Sequence, residues 1–240
     1  MSVHANIEPL DWESEYFQLN SARLHFDAAA PVLTTDALDA FALVQAKIPA
    51  ARVDLADALA RYGFRLVEGE VDLSLQVGTE RASHQEPLFR VAVPEDIPAL
   101  QAAAARVFSA SRFRAPWYAE QDSGRFYATW IEKAVLGTFD HQCLLALNAA
   151  GQPSGFVSLR DIGQQQARIG LLAAFPGAKG QGMGGQLMAA AIAWCRQQRL
   201  QRLWVATQIS NIAALRLYQR HGAAIESTAY WLYRGKHDSI

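Results

Sequence analysis

Apolar residues recur at Leu55, Ala58, Leu59 and Tyr62, the spacing of one helical face, and Gly63 follows where a helix end takes a left-handed residue. From Phe64 to Val77 the period changes to two, with Val67, Val71, Leu73, Leu75 and Val77 in register, which predicts a strand. The same order returns near the C-terminus: a helix from Asn211, Gly222-Ala223, then a strand over 226–233. The echo reads either as a trimmed copy of one unit or as two unrelated helix–strand pairs. Ahead of the first unit, Ala22–Phe26 predicts a strand, and Thr34-Thr35-Asp36 predicts the cap of a helix running to about Val44.

Residues 78–87 are polar and end in Pro87, which predicts a linker between a domain at 1–80 and another at 88–240. The second part opens with a short strand at Phe89–Ala92. A helix follows from Pro94, with Ala99, Ala103, Val107 and Phe108 as its expected apolar face. A further helix is expected from Gly124, carrying Phe126, Trp130, Ile131 and Ala134 inward. Strands at Gln142–Leu147 and Gly155–Arg160 flank a hairpin turn at 149–153, and a third strand covers Ile169–Ala174. A helix over 183–198 buries Leu187, Met188, Ala191, Trp194 and Cys195, and Leu203–Thr207 reads as a strand covered on both faces. Strands alternating with helices in this way predict an α/β fold built on a mixed sheet.

Composition narrows the function. The chain has 240 residues, half of them apolar, and a formal charge of −1 without long runs of one sign. That balance argues against nucleic-acid or membrane-surface partners and for a small molecule. No apolar run approaches the length that spans a bilayer. Glu8 and Asp11 interrupt any signal-peptide core. Cys143 and Cys195 are far apart within apolar patterns, so both read as buried thiols, in keeping with a cytoplasmic setting. The six histidines lack ligand spacing, and no metal site is expected.

The densest chemistry lies at 175–185, where Phe175-Pro176-Gly177 ends a strand and Lys179-Gly180-Gln181-Gly182-Met183-Gly184-Gly185 leads into a helix. Glycines admit positive φ and close approach of a ligand, and the exposed amides of a helix N-terminus favour an anion. Gly180, Gly182 and Gly185 also fit the dinucleotide pattern. That pattern needs an acidic residue about 20 positions on, and Val205, Thr207 and Gln208 stand there instead. A phosphate loop of the Gly-Lys-Ser/Thr kind fails as well, because Gly180 follows Lys179.

Lys179-x-x-Gly182-x-Gly184 resembles the pyrophosphate turn of the GNAT acetyltransferases, with Lys in the position usual for Gln or Arg. Asn211, Ala214, Tyr218 and Gly222 resemble that family's second motif. The resemblance implies the GNAT fold, with the N-terminal part as a smaller, partial GNAT-like domain, and acetyl-CoA as cosubstrate. It implies cofactor contacts from Leu171, Leu172 and Ala173, from Lys179, Gly180, Gln181, Gly182, Met183, Gly184 and Gly185, and from Asn211 and Ala214. Tyr218 would protonate the departing thiolate as general acid, after direct attack by an amine. Glu68 or Glu70 could take the amine's proton; each reads equally as a surface carboxylate on an N-terminal strand.

Arg112, Phe113, Arg114, Trp117 and Tyr118 surround Pro116. Guanidinium forks bind phosphate and aromatic faces stack on bases, so this reads as a substrate loop, or else as a solvated loop with packed aromatics. Stretches outside the cofactor motifs narrow the resemblance to family members that acetylate dTDP-linked amino sugars. These include 44–48, 66–73, 111–118, 139–143 and 226–234. That narrower resemblance implies acetylation of the 4-amine of dTDP-4-amino-4,6-dideoxygalactose, in enterobacterial common antigen synthesis, by a homodimer. A GNAT enzyme for another amine, or a coenzyme A-binding module without turnover, are the alternatives.

Overall fold

The computed structural model describes residues 2–78, 89–108, 111–178 and 180–235. The expected linker therefore lies almost wholly outside the described residues, as does Lys179 of the turn. Ten strands form one mixed sheet: β1 (Ala5–Pro9), β2 (Ser21–Phe26), β3 (Leu43–Pro49), β4 (Arg65–Gln76), β5 (Phe89–Val91), β6 (Gln142–Leu147), β7 (Pro153–Gly163), β8 (Gln166–Ala174), β9 (Arg202–Gln208) and β10 (Ala224–Gly235). Their spatial order is β1-β2-β3-β10-β4-β9-β8-β7-β6-β5. The helices are α1 (Asp11–Phe17), α2 (Thr35–Asp39), α3 (Val53–Ala60), α4 (Ile97–Val107), α5 (Asp122–Val135), α6 (Met183–Gln197) and α7 (Ile212–Arg220).

The two echoed strands, β4 and β10, lie side by side at the centre and pair antiparallel. Outward from this seam the pairings repeat: β10–β3 and β4–β9 are antiparallel, β3–β2 and β9–β8 parallel, β2–β1 and β8–β7 antiparallel. Each echoed strand thus pairs with the strand that precedes the other's helix. Gly63 and Gly222, at φ 84° and 87°, occupy equivalent helix ends.

Three expectations need correction. The helix capped by Thr34 stops at Asp39, and Val44 belongs to β3, where Leu43, Val44, Ala46 and Ile48 are buried. Their burial in the sheet outweighs helical spacing. On α4 the buried positions are Leu100, Ala103 and Ala104, while Ala99 and Val107 face outward. β9 is covered on one face only: Leu203, Val205 and Thr207 are buried, whereas Ala206 is exposed. Its uncovered side looks into the cleft. The five residues expected to anchor α6 are all buried.

Candidate active site

A cleft of about 1650 Å³ runs along the open edge of β8 and β9. It exists because the two strands part. They pair in parallel from Gln166–Arg202 to Ile169–Val205 and no further. Just there β8 carries a bulge, Gly170 and Leu171 standing opposite Ser158 of β7. A bulge bends its strand and re-aims the residues that follow.

The bulge decides which backbone groups face the gap. The Leu171 amide donates to Ser158 Oγ at 2.9 Å and the Phe175 amide to the Ser154 carbonyl at 2.8 Å, both towards β7. Backbone groups alternate along a strand, so Leu172 and Ala174 point theirs into the gap. Of the stretch expected to meet the pantetheine arm, Leu171 and Ala173 line the cleft but therefore have their amides turned to β7. Leu172 alone of the three offers its backbone.

At one end of the cleft the glycine turn leads into α6. Gly180 and Gly182 have φ of 84° and 77°, and nothing lies within 4 Å of a Cβ added to either, so conformation rather than space requires glycine there. At Gly184 the reason is different: an added Cβ would sit 3.0 Å from Leu217 Cδ2 of α7. Gln181 Nε2 donates to the Gly177 carbonyl at 3.2 Å and steadies the turn. The amides of Met183 and Gly184 have no earlier helical turn to bond to, whereas that of Gly185 donates to the Gly182 carbonyl at 3.0 Å, and the helix dipole adds partial positive charge.

Asn211 caps α7. Its Oδ1 accepts from the Ala214 amide at 3.2 Å and its Nδ2 donates to Thr207 Oγ1 at 3.1 Å. The same helix carries Ala214 and Tyr218 to the cleft. Tyr218 is buried, and its hydroxyl has no hydrogen-bond partner among the described residues. Burial pushes its phenol up to about 12, so it holds its proton at neutral pH.

Across the cleft β4 presents Glu68 and Glu70. Their surroundings differ. Burial raises Glu68 above the ordinary carboxyl range, although Arg112 and a hydrogen bond with Gln208 pull the other way. Burial also acts on Glu70, yet hydrogen bonds from Lys47 (2.6 Å) and Trp231 Nε1 (2.9 Å) hold it below that range. Glu70 is thus committed to its partners, and Glu68 is the carboxyl suited to accept a proton.

Beneath the bulge lies a buried cluster that no sequence spacing announces. Asp140, fully buried, accepts from Trp130 Nε1 at 2.8 Å and from Ser158 Oγ at 2.6 Å. Ser158 in turn accepts from Leu171. A Cβ at Gly170 would lie 2.3 Å from Asp140 Oδ2, so only glycine fits against this carboxyl. Asp140 therefore ties the bulge to α5.

The expected substrate loop divides. Arg112 and Phe113 line the cleft. Arg112 donates to Gln45 Oε1 (3.1 Å) and to the Tyr233 hydroxyl, with its guanidinium 4.0 Å from the Trp231 ring. Arg114, Trp117 and Tyr118 lie outside the lining. Arg114 donates to the Val67 carbonyl, Trp117 packs on Tyr233, and the buried Tyr118 hydroxyl accepts from Gln45 Nε2. Their aromatic spacing reflects a shared cluster with Phe17 and Trp231. Trp12, from α1, does line the cleft, so the N-terminal region helps to build it. Nothing in its local spacing marks it out from other tryptophans. His141 stands aside as a structural residue, accepting from the Asp161 amide.

Residues 104–223 match the model of the acetyltransferase (GNAT) family. Comparison of whole sequences agrees: the chain is 52% identical over 234 residues to a dTDP-fucosamine acetyltransferase of Escherichia coli O6:H1, covering 98% of this chain and 100% of that protein. The chain belongs to the GNAT acetyltransferase family. Solved structures show the same GNAT fold at low identity. A GCN5-related N-acetyltransferase from Sphaerobacter thermophilus matches with a TM-score of 0.59 and 17% identity, over 82% of this chain and 61% of that one. A GCN5-related glucosamine N-acetyltransferase region of a fungal multi-domain β-N-acetylglucosaminidase matches with a TM-score of 0.66 and 14% identity, over 96% and 31%. Among the described residues no group of His, Cys, Asp and Glu could hold a metal ion, and no helix is long and apolar enough to cross a membrane.

Proposed function

We propose that this GNAT enzyme transfers the acetyl group of acetyl-CoA to the 4-amine of dTDP-4-amino-4,6-dideoxygalactose. The observation that carries the reading is one cleft lined by a glycine turn, an unbonded phenol and a half-buried carboxyl raised above its ordinary range. The 52% identity to a named dTDP-fucosamine acetyltransferase over nearly the whole chain supports the acceptor.

In this reading the amides that open α6, those of Met183 and Gly184 among them, hold the coenzyme diphosphate, and the parted β8 and β9 admit its pantetheine arm. Leu172 offers its amide to the thioester oxygen, a contact of the oxyanion kind worth about 3–4 kcal/mol. Glu68 removes a proton from the acceptor ammonium. The free amine then bonds to the carbonyl carbon and the carbon–sulfur bond breaks. Tyr218 gives its proton to the departing sulfur, a general-acid step worth about 10²–10⁴ in rate. Lys179, as the cation of the turn, belongs to the same diphosphate contact. Neither cysteine takes part: both are buried, and burial pushes both thiols up to about 12.

A homodimer, a cytoplasmic setting and a division into units at 1–80 and 88–240 complete the proposal. The resemblance to family members acting on nucleotide sugars supports the first two. The repeated pairing pattern on either side of β4 and β10 supports a half-copy at the N-terminus. Thiol release measured with a panel of amines tests the acceptor: turnover with the dTDP-amino sugar and little with free amino sugars, aminoglycosides or peptide N-termini is expected. Preference for any of the latter would overturn it.

A further inference from the structure

The cleft wall away from the glycine turn carries chemistry that the acetyl-transfer step does not use. Four aromatic rings follow one another along it. Ring centroids are 6.3 Å apart for Trp12–Phe126, 5.7 Å for Phe126–Trp130 and 5.5 Å for Trp130–Phe139. All four line the cleft. The rings at the two ends are the open ones, Trp12 being 47% and Phe139 46% exposed. Tyr16 stacks on one face of Trp12 at 5.0 Å, and the half of each end ring left bare offers surface to a planar ligand.

Each end ring also has a cation beside it. Lys133 Nζ lies 4.9 Å from the centroid of Trp12, and Arg160 Cζ 4.7 Å from that of Phe139. Lys133 makes no ion pair and no side-chain hydrogen bond among the described residues. Arg160 is scarcely better served: its Nε is buried without a hydrogen bond, and the nearest carboxyl oxygen, Asp140 Oδ1, is 3.9 Å away. The acidic groups nearby are otherwise engaged, Glu13 with Arg23 and Gln45, and Glu70 with Lys47 and Trp231. Two under-partnered cations among aromatic faces select a ligand that is both planar and multiply anionic.

We propose that Trp12, Lys133, Phe139 and Arg160 form the binding site for the nucleoside diphosphate of the acceptor, the base stacking on an end ring and the two cations meeting the phosphates. The assignment rests on the nucleotide-sugar reading above and places the nucleotide away from the 111–118 loop, of which only Arg112 and Phe113 reach the cleft. The coenzyme's own diphosphate is held elsewhere, at the turn before α6, so the two anionic ligands do not compete.

Calorimetric titration of dTDP into the full chain, in the presence of saturating coenzyme A, tests this. dTDP should bind the unaltered protein. Trp12→Ala, Lys133→Met and Arg160→Met should each weaken it by roughly tenfold or more, since stacking and charge-assisted contacts are lost. Coenzyme A affinity, measured on the same preparations, should be unchanged, and it reports folding of each variant. Lys133→Met alters a side chain with no partner to strand, so it remains informative if Arg160→Met disturbs Asp140. If dTDP binds the unaltered protein and all three variants alike, the placement is overturned while the nucleotide-sugar reading stands. If dTDP fails to bind the unaltered protein, that reading itself falls, and the placement with it.

Discussion

Replacing Ser158 by Ala removes one oxygen from the centre of the bulge cluster. Two contacts go with it: the acceptor for the Leu171 amide at 2.9 Å and one of two donors to Asp140 Oδ2, at 2.6 Å. The site is fully buried, so no solvent replaces either. A stranded buried amide costs about 1–3 kcal/mol, and loss of a hydrogen bond to a buried carboxyl about as much again. The sum, roughly 2–6 kcal/mol, is a large share of the roughly 5–15 kcal/mol that holds a domain together. The chain should still fold, with the urea midpoint lowered at unchanged slope. The bulge also aims the Leu172 amide. Freeing it should forfeit part of the oxyanion contact and lower kcat by about tenfold or more, with acetyl-CoA affinity largely kept. Urea unfolding and steady-state kinetics on one preparation read both effects. A stability change below about 0.5 kcal/mol together with unchanged kcat would refute the role given to this cluster.

Other perturbations probe other parts. Burial raises Glu68 in the folded chain, so its cost appears as pH rises above the ordinary glutamate range and is absent where both folded and unfolded forms are protonated. Glu68→Gln should therefore raise the melting temperature at neutral pH but not at acid pH, while lowering kcat; equal melting at every pH would contradict the burial argument. For the unaltered enzyme, the acid limb of the rate profile should fall above the ordinary glutamate range. Because burial pushes Cys143 and Cys195 up to about 12, iodoacetamide at neutral pH should leave both thiols and the activity intact; rapid inactivation would put a thiol in the mechanism. Gly182→Ala introduces a side chain at φ 77° with open space around it, so acetyl-CoA binding should weaken with modest loss of stability, about 1 kcal/mol.

Much of this was legible in local pattern. The strand–turn–helix at 166–197 and the helix–glycine–strand echo are written in spacing and in glycines at positive φ. The motif residues Gly182, Asn211 and Tyr218 meet at one cleft because consecutive elements carry them there. What local pattern does not encode is contact between distant segments. Asp140 draws its hydrogen bonds from α5 and β7 and sits against the β8 bulge, and Trp12 reaches the cleft only because α1 packs on α5, through Tyr16 and Thr129 among others. The aromatic–arginine stretch at 111–118 misleads for the same reason. Side chains that could stack on a base pack against Tyr233 and Phe17 instead, Trp117 edge-on and Tyr118 tilted.

The decisive measurement is the turnover of Tyr218→Phe beside its affinity for acetyl-CoA. The substitution keeps the buried ring and deletes only the unbonded hydroxyl. A fall in kcat of about 10²–10⁴ with acetyl-CoA binding held is the predicted result; undiminished turnover would remove the phenol, and with it the orientation of the thioester in this cleft.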